Sequence, residues 1–527
     1  MPFGQPTHTP GVFINEVASK SRPISGVATS VAAFVGITPG GPLDTPIKVT
    51  SWMEFERTFG SDEGVFLPEV HLSHSVQGFF QNGGSTAWIV RVGAPSFADR
   101  PFAVLPSVAG DQVPAPFTLV LRDDVSLTST PPAKGKKGDD EAADATPVAR
   151  AFSATLTATT DAGHASVYTL ELTDGTVTET IEGLTLTPGQ RSIVNAVNAE
   201  SKLVRVLASG AALQSSEAVP KAGEYGLLAV PAADARPTPD QFIGNPAYLT
   251  GLSALSVVDE VTMVCVPDLM VVTADPDEIK AVQDAVVEFC EAGRRMAILD
   301  PPPSRNNQEM EAWRSAHVTA SEFSTLYWPW IEVLDPASKH IIAVPPSGHI
   351  AGAWAGNDSA RGVHKAPANV TLGGAIGPAF TVNDAGQGAL NDAGVNCIRA
   401  FPGQGTLIWG ARTLSSDPEW TYLNVRRLFN YLMGSILNAT SWAVFEPNDE
   451  TLWGALEISV SNFLTATWRS GALFGSSPDE AFFVKCDAET NPPELRDLGQ
   501  VNIQIGVAPV KPAEFVVFEI SQYQPSA

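Results

Sequence analysis

The sequence predicts a mixed α/β fold interrupted by a β-rich insertion, and three patterns predict it. Two apolar runs, VDEVTMVCVPDL and RRMAILDPPP, bracket residues 276–292. There Ile279, Val282, Val286 and Phe289 recur at helical spacing, so the whole is a β-α-β unit with parallel strands. Farther back, FSATLTATT and SVYTLELTDGTVTETIEGLTL alternate apolar and polar residues around Asp-Gly turns, the mark of antiparallel strands. Towards the C-terminus two apolar faces appear at helical spacing. One carries Tyr422, Val425, Phe429, Leu432 and Ile436; the other carries Leu452, Leu456, Val460, Phe463 and Thr467.

The remaining elements follow in order. PGVFINEV (10–17) reads as a strand behind a Pro-Gly turn, after a polar tail. Val31 to Ile37 form an apolar run suited to a buried strand. Helical spacing runs from Trp52 to Phe59, and FFQNGGSTAWIVRVG (79–93) gives a helix end, a turn and a strand. Residues 94–240 are rich in Thr, Ala, Val and Pro and hold the alternating segments; within them TPPAKGKKGDDEAADATP (130–147) has the composition of a solvated loop. STLYWPWIEVLD (324–335) reads as one further strand. Asn448 suits the N-cap of the second C-terminal helix, with Asp449 and Glu450 at the positive end of its dipole. VNIQIGV (501–507) alternates as a half-buried strand does. EFVVFEI (514–520) is apolar on both faces: Phe515 and Val517 on one, Val516, Phe518 and Ile520 on the other.

Composition excludes several functions. The 527 residues carry 44% apolar side chains, enough for three or four domains with sizeable cores, yet only 17% charged ones, which leaves much surface free to be buried between subunits. The net charge of −25 argues against nucleic acid and anionic membranes as partners and favours a basic protein surface. The short basic cluster Lys134, Lys136 and Lys137 is followed at once by Asp139, Asp140 and Glu141. Four scattered cysteines (Cys265, Cys290, Cys397 and Cys486) suit a reducing compartment with no disulfide framework. The N-terminus has no signal-peptide pattern and no run reaches the length of a membrane span, so synthesis and assembly in a bacterial cytoplasm are expected.

Candidate chemistry is sparse. Asp268 and Asp300 each follow a strand of the β-α-β unit, where open α/β sheets place their active sites. An α/β hydrolase-like enzyme using either is the alternative function, against which each carboxylate simply caps a turn or helix. No nucleophile motif, phosphate loop or H-E-x-x-H pair accompanies them, and LGGAIG (372–377) is too loose to cradle phosphate. His71, His74 and His364 read as structural. Trp328, Trp330, Trp409, Trp442, Trp453 and Trp468 lie in apolar segments and read as core or interface anchors. Arg426 and Arg427, at the start of the first C-terminal helix, fit an ion pair between subunits or one within the subunit equally well. No catalytic, metal-binding or cofactor-binding set emerges.

The segments NVRRL, VFEPN, the W-x-x-GAL-x-G element, EAFFVKCD and PAEFVVFEI, with PGVF, AFVG and GP near the N-terminus, resemble the contractile tail sheath proteins. These subunits surround the tube of contractile phage tails and of related bacterial injection machines. The likeness runs over 10–93 and 250–522 and fades between. It implies a structural subunit, no enzyme and no cofactor: a conserved α/β sheath domain built from both ends of the chain, with an inserted β-rich outer domain and terminal strand arms. The expected divisions are an N-terminal arm (1–24), a first part of the sheath domain (25–93), the insertion (94–245), an α/β part (246–345), a C-terminal part (346–508) and a C-terminal arm (509–527). Residue patterns alone leave open whether the terminal strands pair at home or abroad; the resemblance implies that Val12, Phe13, Ile14 and Val17, and Phe515, Val516, Val517, Phe518 and Ile520, add to a neighbour's sheet. The expected partners are further copies in a helical sheath, an inner tube protein, and baseplate and tail-terminator or cap proteins. Asp449, Glu450, Asp479 and Glu480 are the candidate tube-facing groups, with helix capping as their plain alternative. Whether the particle is a phage tail or an injection system stays open.

Overall fold

The computed structural model describes residues 23–515, apart from 62–63, 94–100, 106–116, 123–127, 130–147, 150–152, 160–166, 175–176, 187–188, 209–218, 227, 230–236, 248 and 304. The expected strand at 10–17, the basic cluster at Lys134, Lys136 and Lys137, and all of the C-terminal strand beyond Phe515 lie outside the described residues. The chain forms two compact units. One holds 29–361 and 366–423; the other holds the residues up to 28, 362–365 and 424–527. The fold is mixed α/β, as the sequence predicts.

The larger unit is built on a nine-stranded sheet. Its N-terminal elements are β1 (Ala32–Gly36), β2 (Ile47–Val49), helix α1 (Trp52–Phe59), helix α2 (Leu72–Gln81) and β3 (Ala87–Arg91). After the insertion come β4 (Met263–Cys265), α3 (Pro276–Gly293), β5 (Met296–Leu299), α4 (Asn307–His317), β6 (Ser324–Trp328), α5 (Ser347–Arg361), β7 (Val370–Thr371), β8 (Val395–Phe401) and β9 (Gly405–Trp409). The strand order is β7-β9-β8-β6-β5-β4-β1-β3-β2. The six strands from β8 to β3 run parallel, and β2, β7 and β9 are antiparallel to their neighbours. Parallel strands need cover on both faces, and their side chains divide accordingly. Ala33, Val35, Val264, Ala297 and Leu299 face a core with Ile279, Val282 and Val286 of α3 and Trp313 of α4. Ala32, Phe34, Met263, Cys265, Met296 and Ile298 face a second core with Phe55 of α1, Leu72, Val76 and Phe79 of α2, and Ile350 and Trp354 of α5.

Helices α2 and α5 lie unusually close. Gly348, Gly352 and Gly356 recur every fourth residue and so share one face of α5. A Cβ at those positions would stand 2.3, 2.4 and 2.6 Å from the carbonyl oxygens of Ser75, Phe79 and Asn82. The stripe therefore lets two backbones touch where any side chain would hold them apart. It lies in a segment whose helical character the sequence reading did not bring out.

STLYWPWIEVLD is two strands and not the expected one. β6 ends at Trp328; Ile331–Leu334 then enters a separate three-stranded sheet with Ile341–Val344 and Ala375–Pro378. Pro329 between them has no N–H with which to continue a ladder. Trp330 is anchored by its indole N–H donating to the Pro301 carbonyl at 2.8 Å.

The insertion is β-rich and antiparallel, as expected. Thr178–Leu184, Val167–Thr173, Ser153–Thr159 and Gly223–Gly226 form one four-stranded sheet. Val204–Ala208, Phe117–Leu121, Pro101–Leu105 and Leu228–Ala229 form another. Leu156, Tyr168, Leu170 and Val206 share its separate core. A helix, Ile193–Glu200, also packs there; its N-cap Ser192 accepts the N–H of Asn195. Its two turns lie within strand-rich sequence and went unforeseen.

Candidate assembly surface

Two helices carry the smaller unit: α6 (Leu423–Thr440) and α7 (Glu450–Arg469). Leu432 and Ile436 of α6 meet Val460 and Phe463 of α7, as the periodicity marks, and Leu428 and Leu464 join the same core while the expected Phe429 does not. The N-cap of α7 is Asp449 and not Asn448: its carboxylate accepts the N–H groups of Thr451 and Leu452 at 3.0 and 2.9 Å. Asn448 instead accepts the indole N–H of Trp453 at 2.8 Å and donates to the Gln500 carbonyl. A charged cap also answers the helix dipole, which an amide does not.

Beside the helices lies a small sheet, β10 (Phe482–Lys485) paired antiparallel with β11 (Gln504–Val507). Phe482, Val484 and Val507 turn inward onto the helical core. Phe483, 59% exposed, turns outward and its ring covers Gly506, where a Cβ would stand 2.1 Å from it. Among the described residues this sheet has two strands only. Phe474 (73% exposed) and Phe515 (76%) add further bare aromatics nearby in sequence. Two open edges with exposed apolar residues form a template for added strands. The long connection between the strands is pinned by Asn491, whose amide accepts the Asn502 N–H at 2.6 Å and donates to the Asn502 carbonyl at 3.1 Å. Nothing in its sequence context marks that role. The described N-terminal segment runs along α6: Val27 N–H donates to Ser435 Oγ at 3.1 Å, and Ile24 joins the helical core.

The other candidates are dispersed. Glu450, Asp479 and Glu480 are exposed, as is Asp449. Glu480 accepts both the N–H and the hydroxyl of Ser476 at 2.8 Å, so Asp449 and Glu480 cap local turns while facing solvent. Arg426 and Arg427 are buried, 4% and 3% exposed, and Arg426 donates to Asn430 Oδ1 at 3.1 Å. His364 accepts the Asn424 amide through its carbonyl. Phe445 was missed. It is fully exposed in the loop between α6 and α7 with φ +68°, a left-handed conformation that a bulky residue rarely adopts.

Asp268 and Asp300 do sit at the carboxyl ends of β4 and β5, but both are buried; Asp268 is spent on backbone, whereas Asp300 leaves its Oδ2 without a partner among the described residues. Asp268 accepts N–H groups from Ile37 at 2.7 Å, His71 at 2.6 Å and Leu72 at 3.0 Å, closing the crevice between β4 and β1 and capping α2. Burial pushes its carboxyl up to about 6 against those three bonds. Asp300 accepts the Ser347 N–H at 3.0 Å at the start of α5, and burial pushes it up to about 7. Asp300 lines a small cavity of about 10 Å³ with Gln283, Leu269 and Leu299. No His, Cys, Asp and Glu group among the described residues is arranged to hold a metal ion. No helix there is long and apolar enough to cross a membrane.

The chain is thus an α/β subunit with a small apolar sheet, in which Asp268 and Asp300 accept backbone N–H groups at helix starts. Among family models, the phage tail sheath protein central domain matches residues 241–414 and the phage tail sheath C-terminal domain matches 415–522, together more than half of the chain. The chain belongs to the phage tail sheath family. The tail sheath protein of Vibrio phage KVP40 is 30% identical over 33% of this chain and 26% of its own length. The putative prophage major tail sheath protein of Pseudomonas aeruginosa is 28% identical over 46% of this chain and 61% of its own. That of Escherichia phage P2 is 25% identical over 50% and 65%. The chain thus spans less than two thirds of each of these curated relatives. Among solved structures, the contracted PVC sheath complex of an extracellular contractile injection system is 25% identical, with a TM-score of 0.57, over 98% of this chain and 99% of that one. The anti-feeding prophage helical sheath in the contracted state shares the fold at 22% identity and TM-score 0.55.

Proposed function

We propose that this chain polymerises helically around an inner tube, in stacked rings, and contracts to drive that tube through a target envelope. The observation that carries this is the two-stranded sheet β10–β11 with its open edges and outward Phe483. Strands from neighbouring copies, Val12 to Val17 and Phe515 to Ile520, complete it. Backbone bonds supply the link, and alternating side chains supply the register. Such linkers hold the subunits in a mesh while their domains reorient, so that small energies per subunit sum over the assembly without a nucleotide. Besides the tube, the partners are a baseplate and a terminal cap. The exposed acids Asp449, Glu450, Asp479 and Glu480 face a basic tube surface, and the insertion, with its own core, sits at the outer radius.

The test is co-expression with the tube protein and negative-stain microscopy. Long striated tubes that shorten on triggering are expected. Deleting residues 1–18 should leave a folded subunit that forms no contractile sheath. Normal sheaths from that deletion would refute strand exchange at that end. A density map that set the insertion against the tube would overturn its placement.

A further inference from the structure

Three histidines crowd the close α2–α5 contact. His71 is the N-cap of α2, His74 lies one turn on, and His349 lies in the first turn of α5. His74 and His349 are only 4% and 3% exposed. The ring of His349 lies on Gly78, where a Cβ would stand 2.3 Å from its Nδ1. His74 Nε2 lies 3.2 Å from Asp335 Oδ1, and its ring rests on Phe66 at 4.7 Å between centroids; His71 stands edge-on to Trp330 at 5.1 Å. The Nδ1 atoms of His71 and His349 are buried with no hydrogen-bond partner among the described residues, whereas His74 also meets the Val70 backbone.

We propose that the α2–α5 helix pair is an acid-sensitive latch, opened by protonation of His349 and His74. A cation at His349 is badly sited, and at His74 burial outweighs the Asp335 carboxylate that would pair with one. Both lie in the first turns of helices, whose dipoles present positive charge there. The surrounding titratable groups do little to help. From the turn after Ile331–Leu334, Asp335 reaches His74 but is already held by the N–H groups of Ala337 and Ser338. From the end of β4, Asp268 is saturated by three N–H groups. From the end of β5, Asp300 caps α5 at Ser347, and Cys265 of β4 bonds the Ser347 carbonyl as a thiol. On α1, Glu56 and Arg57 are exposed. Burial, with His74 as a second cause, holds His71 and His349 down at about 4, and burial also lowers His74 against the pull of Asp335. Among the causes that act on His349, burial and His74 both disfavour its charge and no carboxylate offsets them.

The sign follows. A histidine whose folded value is depressed favours the closed pair fully above about 6.5, and that preference fades as pH falls towards 4. The glycine stripe makes the opening abrupt, because touching backbones have no side-chain slack to absorb a small displacement. Asp268 and Asp300, at the starts of α2 and α5, are raised and act in the opposite sense, so the histidine contribution is read as the difference between the wild-type chain and His349→Gln.

The test is hydrogen exchange by mass spectrometry on the full chain at pH 7.5 and 5.0, corrected for intrinsic rates. Peptides from α2 and α5 should open roughly 10- to 30-fold more at pH 5.0, with β4 and β5 unchanged. His349→Gln, checked to have wild-type protection at pH 7.5, should lose most of that pH dependence. Equal protection of α2 and α5 at both pH values in the wild-type chain would overturn the latch, whatever the variant does. So would an undiminished response in His349→Gln.

Discussion

The two named sheets of this subunit face opposite problems. The nine-stranded sheet is finished by its own chain: helices cover both faces, and its outermost strands, β2 and β7, are three and two residues long. Short edges offer little to a stray strand. The sheet β10–β11 is the reverse, with four residues in each strand, no third strand among the described residues and an aromatic turned outward. An isolated pair of that size is marginal, and its stability depends on what joins it. The contrast teaches that one sheet is completed by its own chain, whereas the other is the place where the proposed strand exchange can be tested.

The largest expected effect falls on the closed region. Gly352→Ala puts a methyl group 2.4 Å from the Phe79 carbonyl, in a contact made of two backbones. A loss of ~3 kcal/mol or more in chemical denaturation is expected, with loss of soluble protein as the extreme. Wild-type stability would show that the helices separate freely. Next, Asp268→Ala strips the acceptor from three buried N–H groups and should cost about 1–3 kcal/mol. Asp268→Asn tests the sign of its pH dependence. A carboxyl raised by burial favours the fold fully below its unfolded value near 4, and that contribution is lost as pH rises through about 6. The asparagine variant should therefore flatten the fall in melting temperature between pH 4 and 6; an unchanged slope would show that another group is responsible.

The open region should respond the other way, with little effect on folding and a large one on assembly. Val516→Pro or Phe518→Pro removes a ladder donor and should abolish sheaths while the subunit's melting temperature stays put. A monomer that no longer folds would place that strand in its own subunit. Smaller still, Phe483→Ser should shift stability by less than about 0.5 kcal/mol yet reduce sheath length in micrographs. Charge reversal at Asp479 and Glu480 should weaken co-assembly with the tube in a pull-down and leave the isolated subunit folded. Unchanged recovery of tube would take those acids out of the contact.

Local pattern determined much of this protein. The parallel β4-α3-β5 unit, the buried run of β1, the hairpin at 153–173 and the apolar faces of α6 and α7 are all periodicity made visible, because burial on one face selects a spacing. The family was legible too, since its motifs sit in contiguous runs. What the sequence left undecided depends on residues far apart in the chain. Asp268 looked like a catalytic candidate until the fold brought Ile37, His71 and Leu72 to its oxygens. Arg426 and Arg427 looked available until tertiary packing buried them. The break at Pro329 divided one apolar run between two sheets. The glycine stripe of α5 acquired its meaning only when α2, some 270 residues earlier, came to lie against it, and the three histidines gather only there. Spacing along the chain records which face is apolar; which backbone lies close enough to touch is decided by the packed fold.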